Sequence, residues 1–111
     1  LSEAALDRTL AALAEPYQRR VVDVLSRGPR AAGELAREVG LAAPAMSRRL
    51  RALRQAGLIE ESHPEFDARV RIYALRSGAM SDLKRWLEEI EAMWALQLAA
   101  LKAHLEKARG P

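Results

Sequence analysis

Four arginines crowd one short stretch: Arg48, Arg49, Arg51 and Arg54, within PAMSRRLRALRQAGL from Pro44 to Leu58. A guanidinium is permanently charged, and its planar fork fits a phosphate or the acceptor edge of guanine. At helical spacing Met46, Leu50 and Leu53 make an apolar back that Ala56 and Gly57 close. Ser47, Arg48, Arg49, Arg51, Arg54 and Gln55 are left for the other faces. No acid interrupts the stretch, so its arginines have no partner within their own helix. Such a helix lays cations against an anion, and the phosphate-lined major groove of DNA is the natural one. Pro44 suits the first turn, and Gly57 suits a C-cap that needs positive φ.

The neighbouring segments must position that helix. The spacing predicts a helix over Leu1 to Ala14, with Ser2 as N-cap and Leu6, Leu10 and Leu13 along one side. A second helix from Pro16 to Ser26 offers Tyr17, Val21, Val22, Val24 and Leu25 to a core, and Arg27-Gly28-Pro29 stops it. Ala32 to Val39 reads as a short third helix with Leu35, Ala36 and Val39 inward. Gly40-Leu41-Ala42 then turns into the arginine helix. Two short helices about a glycine-containing turn, over 32–55, make the helix-turn-helix pattern, with the arginine helix as its recognition member. A plain αα-hairpin with a solvated charged face has the same outline, but its face would carry both signs of charge.

After Gly57 the period changes to two. Leu58 to Ser62 and Arg69 to Leu75 read as strands, the second with Val70, Ile72 and Ala74 opposite Arg69, Arg71, Tyr73 and Leu75. His63 to Ala68 is the turn. This hairpin, over 58–75, is a wing, and Arg69 and Arg71 are placed to reach flanking DNA backbone. Glu65 and Asp67 near its tip would repel phosphate unless they hold those arginines in position. From Ala79 to Arg109 no Pro or Gly intervenes, which predicts one helix of about 29 residues and about 45 Å. Leu83, Leu87, Ile90, Trp94, Leu98, Leu101 and Leu105 form its apolar stripe, widened by Trp86 and Met93. Leu6, Leu10 and Leu13 can cover part of that stripe. A second copy of the chain is expected to cover the rest, rather than a fold-back of the helix over its own domain.

Composition bounds the class. At 111 residues, half of them hydrophobic, the chain is expected to be one ordered domain, 1–111. It opens on Leu1 rather than Met, as a trimmed chain would, and no secretory signal or membrane-spanning run is evident. There is no cysteine, which removes disulfides and thiolate metal sites. Net charge is only +3, but seven arginines face four acids between Arg48 and Arg76, whereas five basic and five acidic residues balance from Asp82 onward. An enzyme is not expected. Glu60, Glu61, Glu88, Glu89 and Glu91 fall on exposed positions with no suggestive partner, Ser47 has no His–acid pair nearby, and no glycine-rich phosphate loop is present.

Several of these stretches resemble the arsenic-repressor-type (ArsR-type) winged-helix transcription regulators. They are Ala12-Leu13-Ala14-Glu15-Pro16 with Arg19-Arg20, Gly33-Glu34-Leu35-Ala36, the run from Ser47 to Leu58, and Arg71-Ile72-Tyr73-Ala74-Leu75. The resemblance implies a mainly α fold with a small β-hairpin, a winged helix-turn-helix with a long terminal dimerisation helix. It implies a cytoplasmic homodimer paired through its first and last helices, 1–14 and 79–109. Leu6, Leu10, Leu13, Leu83, Leu87, Ile90, Trp94, Leu98 and Leu101 would line that interface. It also implies a sequence-specific repressor that binds an imperfect palindrome at its own or a neighbouring operon. Pro44, Ala45, Ser47, Arg48, Arg49, Arg51, Arg54, Arg69 and Arg71 are the DNA-facing candidates. Arg48 is expected to read bases, and the other arginines with Ser47 to meet phosphate.

The departures from the family pattern are informative. Its metal sensors place cysteines in the third helix, where this chain has Gly33 to Arg37, or Asp and His on the last helix, where only His104 and Glu106 stand. His63 lies far off in the wing. No metal or other cofactor is expected, and the last helix resembles a branch that does not sense metal. Arg49 replaces a usual His, which suggests a further phosphate contact. Ala43 and Ala45 replace polar base readers, so readout leans on Arg48, Ser47 and DNA shape. The contrasting possibility is a winged helix used only as a protein-interaction module. Its mark would be an apolar or acidic recognition helix. The sequence names neither an operator nor an inducer.

Overall fold

The computed structural model describes residues 3–110, so the expected N-cap at Ser2 lies outside the described residues. Two compact units are present, one through Met80 and one from Ser81. The first holds α1 (Glu3–Ala14), α2 (Pro16–Leu25), β1 (Arg30–Ala31), α3 (Ala32–Val39), α4 (Ala43–Gln55), β2 (Ile59–Ser62) and β3 (Ile72–Leu75). The second is α5 (Ser81–Arg109), 29 residues long.

The core of the first unit forms where the helical periods predict. Val21, Val24 and Leu25 of α2, Leu35 and Val39 of α3, and Met46, Leu50 and Leu53 of α4 are all buried, with Leu58, Ile59 and Tyr73 from the wing base. The joint between α1 and α2 is capped from both sides. The Gln18 backbone N–H donates to the Glu15 carboxylate at 2.8 Å, which caps α2. The Gln18 side chain donates to the Ala12 carbonyl at 2.6 Å, and Arg19 to the Leu13 carbonyl at 2.7 Å. The last carbonyls of α1, which lack helical partners, are thereby satisfied. This close joint turns the small Thr9 and Ala12 to the core and moves the leucines sideways. Leu13 is half-buried against the core, Leu6 half-buried, and Leu10 39% exposed.

Two glycines set the ends of the helix-turn-helix. Gly40, at φ +82°, ends α3 with its N–H on the Ala36 carbonyl at 2.9 Å. Gly57, at φ +76°, lets the Leu58 N–H reach back to the Leu53 carbonyl at 3.0 Å, a Schellman closure of α4.

The sheet differs from a plain hairpin. It has three antiparallel strands in the order β1-β3-β2. Arg30 and Ala31, just after the Gly28-Pro29 break, pair with Tyr73 and Ile72. Two residues are too few to show a period, so this edge strand leaves no pattern in the sequence. β3 is also shorter than its alternation predicts. Asp67 accepts from the Arg69 N–H at 3.0 Å through its side chain and from the Val70 N–H at 3.3 Å through its carbonyl. These bonds make a turn of the segment expected to extend the strand. The core face of β3 carries Tyr73, with Leu75 packed beside it.

Within α5 no residue is buried. Leu87, Ile90, Trp94, Leu98, Leu101 and Leu105 are 45–60% exposed.

Candidate nucleic-acid interface

The inward stripe of α4 fixes where every other side chain of that helix points. At 100° per residue, Pro44, Arg48, Arg51 and Gln55 fall opposite Met46, Leu50 and Leu53 and form an outward line. Ser47 and Arg54 lie on the flank toward the wing. Ala45 and Arg49 lie on the flank toward α1 and α2. Pro44, Ser47, Arg48, Arg51 and Arg54 are exposed, and Ala45 and Arg49 are half-buried.

The arginines then separate by what they touch. Among the described residues Arg48 and Arg51 have no ion-pair or hydrogen-bond partner. Arg49 Nε stands 3.7 Å from the Glu15 carboxylate that caps α2. Arg54 Nη1 donates to Glu61 Oε2 at 2.7 Å. On the wing, Arg69 Nε meets Asp67 Oδ1 at 3.3 Å, and Arg71 Nε lies 3.6 Å from Glu61 Oε1. Asp67 thus holds Arg69, the alternative to phosphate repulsion that the sequence leaves open. Arg69 and Arg71 lie in the wing loop rather than in a strand.

Glu61 corrects the sequence reading. It was expected on an exposed position with no suggestive partner, yet its side chain is only 12% exposed and four groups surround it. Besides Arg54 and Arg71, the Tyr73 hydroxyl donates to Oε2 at 3.3 Å, and His63 Nε2 stands 3.9 Å from Oε1. The signal was present in the period of the strand. Glu61 shares a face with buried Ile59 and sits directly across from Tyr73. Burial first, and then the Glu61 charge, push the Tyr73 hydroxyl above its ordinary value of 10.0, so it stays protonated as a donor. His63 Nδ1 lies 2.9 Å from the Val70 carbonyl. A carbonyl only accepts, so Nδ1 carries the proton there.

Arg76, counted in the basic middle of the sequence but given no role there, also lies near this cluster. With Arg51, Arg54, Gln55, Glu60 and Glu61 it borders an open concavity of about 610 Å³ beside the wing base.

The fold places the chain beside known transcriptional regulators. A helix-turn-helix domain matches residues 13–62. The chain is 43% identical over 53 residues to the HTH-type transcriptional regulator Rv2034 of Mycobacterium tuberculosis, which covers 48% of this chain and 50% of that protein. The match therefore spans half the length of that curated relative. Crystallised neighbours are similar over much more. The ArsR family transcriptional regulator RHA00566 has a TM-score of 0.75 at 29% identity, over 86% of this chain and 95% of its own. A possible transcriptional regulator for arsenical resistance has a TM-score of 0.63 at 31% identity, over 73% and 81%. This chain belongs to the ArsR family of transcriptional regulators. The ArsR fold is seen again in a winged helix-turn-helix fragment from Mycobacterium bovis, described as homodimeric, with a TM-score of 0.61 at 24% identity over 86% and 82% of the chains. ArsR proteins are regulators, not enzymes.

Proposed function

We propose that this ArsR protein is a homodimeric, sequence-specific DNA-binding repressor that acts on its own or a neighbouring operon. The observation that carries the reading is the outward line of α4, where Arg48 and Arg51 stand exposed and unpaired among the described residues. In each half of the dimer α4 enters a major groove. Arg48, in the N-terminal half that meets base edges, reads a guanine. Arg51, about one turn on, meets phosphate, Ser47 assists, and the wing lies over flanking backbone. Pro44 and Ala45 approach the DNA closely with no polar group of their own.

The dimer forms through α1 and α5. Leu6, Leu10 and Leu13 supply one part of the interface. Leu83, Leu87, Ile90, Trp94, Leu98 and Leu101 supply the other. The stripe of α5 repeats after eleven residues, from Leu83-Leu87-Ile90-Trp94 to Trp94-Leu98-Leu101-Leu105. A period near 3.67 residues per turn keeps one face aligned along a nearly straight helix, which suits pairing over its whole length. The neighbour described as homodimeric supports dimer formation, without bearing on which helices pair. The site of action is the cytoplasm, where the operator lies. No helix among the described residues is long and apolar enough to cross a membrane.

Metal control is not part of the proposal. The chain has no cysteine and two histidines, and among the described residues no group of three His, Asp or Glu could hold an ion. Zinc, cadmium and arsenite should each change operator affinity by less than about tenfold, a coupling of about 1.4 kcal/mol.

Footprinting on the promoter upstream of the gene, with sedimentation of the same sample, tests the proposal. Two protected half-sites about 34–36 Å apart, bound by a species of twice the chain mass, are expected. Equal binding to a scrambled promoter, or tight palindrome binding by a monomer, would contradict it.

A further inference from the structure

Glu61 sits where two arms of the interface meet. It reaches down to Arg54 on the flank of α4 at 2.7 Å and along the wing to Arg71 at 3.6 Å. Tyr73, across the strand pair, donates to the same carboxylate at 3.3 Å. The register stacks one face of the wing in order. Ile59 faces Leu75 in the core, Glu61 faces Tyr73 at the margin, and His63 and Arg71 lie beyond. The carboxylate is sheltered, with 12% of its side chain exposed, while the Arg54 and Arg71 side chains that meet it remain largely open to solvent. Arg54 also borders the 610 Å³ concavity that Arg51 and Arg76 share. Glu61 thus already supplies Arg54 with a charge-assisted hydrogen bond.

We propose that Glu61 is a positioning residue that withholds Arg54 and Arg71 from the DNA backbone and fixes the wing relative to the recognition helix. The inference rests on the DNA-binding reading above and adds to it a source of specificity. Phosphate contacts supply the sequence-independent part of binding. One carboxylate shared by two arginines holds both side chains and cancels one of their two charges, which weakens that part selectively and leaves Arg48 and Arg51 to set the register. A wing tied to α4 through one carboxylate can favour only DNA whose flanking backbone meets it in that position.

The test compares the full chain with Glu61→Gln on its promoter and on scrambled DNA across a salt series. Glutamine keeps an oxygen for Arg54 and Tyr73 but carries no charge. Each phosphate contact adds about 0.9 to the slope of log affinity against log salt, so the variant's slope on scrambled DNA should steepen by about one to two units per protomer. Its affinity for scrambled DNA should rise by about fivefold or more, and its preference for the promoter should fall by about threefold or more, sizes set by those extra phosphate contacts. An unchanged slope and preference, or a fall on both DNAs, would overturn the proposal. Arg54→Gln with Arg71→Gln supplies a second reading that leaves Glu61 in place. If Glu61 already holds both arginines away from phosphate, this variant should lose less than about one unit of slope per protomer, whereas two working phosphate contacts would cost close to two. A wild-type protein that fails to prefer its promoter removes the DNA reading and this inference together. A wild type that discriminates, with a Glu61→Gln variant that matches it, removes the inference alone.

Discussion

The outward line of α4 and its two flanks carry the same side chain in opposite states. Arg48 and Arg51 face outward without a partner among the described residues. Arg49 and Arg54, a few ångströms away, are held by Glu15 and Glu61. The wing repeats the flank pattern, with Arg69 on Asp67 and Arg71 on Glu61. Charge counted along the sequence treats all six alike. The geometry divides them into two that await a partner and four that already have one. A cluster of arginines is therefore a poor measure of how many phosphates a protein can hold.

That division can be broken from either side. The largest expected effect belongs to Arg48→Ala. A bidentate arginine–guanine contact is worth about 1–3 kcal/mol of discrimination, so preference at one base pair per half-site should flatten. An equal loss on promoter and scrambled DNA would move readout to DNA shape or to the wing. Next comes Arg51→Ala, which should weaken all sequences alike and lower the salt slope by about one unit per half-site. A slope that stays put would place Arg51 off the backbone.

The flank positions should respond elsewhere. Arg49→Ala and Arg54→Ala should leave promoter affinity within about threefold and cost less than about 1 kcal/mol of folding stability, as expected for exposed ion pairs. Urea unfolding and binding on the same samples would show it. A large affinity loss with unchanged stability would return these residues to the DNA face. The smallest effect is alkaline. The Tyr73 hydroxyl is held above 10.0 in the folded chain, so its contribution to stability is fully present below that pH and is lost as pH rises through the folded value. Tyr73→Phe should remove that part of the alkaline decline. Parallel melting curves for the two proteins above pH 10 would argue against it.

Much of this was legible in the sequence because helical faces obey one period. Met46, Leu50 and Leu53 at that spacing mark the buried back of α4, and their burial fixes the outward line by rotation alone. Gly40 and Gly57 mark the ends of α3 and α4 because both need positive φ. What stayed hidden was contact between different elements and one local turn. Glu61 and Arg54 are seven residues apart on a strand and a helix, and no periodic pattern links them. β1 is two residues long and becomes a strand only through its pairing with β3. The turn at Asp67 takes backbone donors from a segment whose alternation reads as strand. The first two cases depend on a partner in another element, whereas at Asp67 a local side-chain bond to the backbone overrides the strand pattern.

Promoter affinity of two double variants, measured side by side at one salt concentration, separates the outward arginines from the flank arginines. Arg48→Ala with Arg51→Ala removes the outward pair, and Arg49→Ala with Arg54→Ala removes the flank pair. Both delete two positive charges from the same helix, so net charge cannot separate them. A loss of about 30-fold or more is expected for the outward pair, from ~1–3 kcal/mol of base readout together with a lost phosphate contact. A change within about fivefold is expected for the flank pair, whose ion pairs are worth at most about 1 kcal/mol each. Equal losses, or a larger loss from the flanks, would contradict that separation.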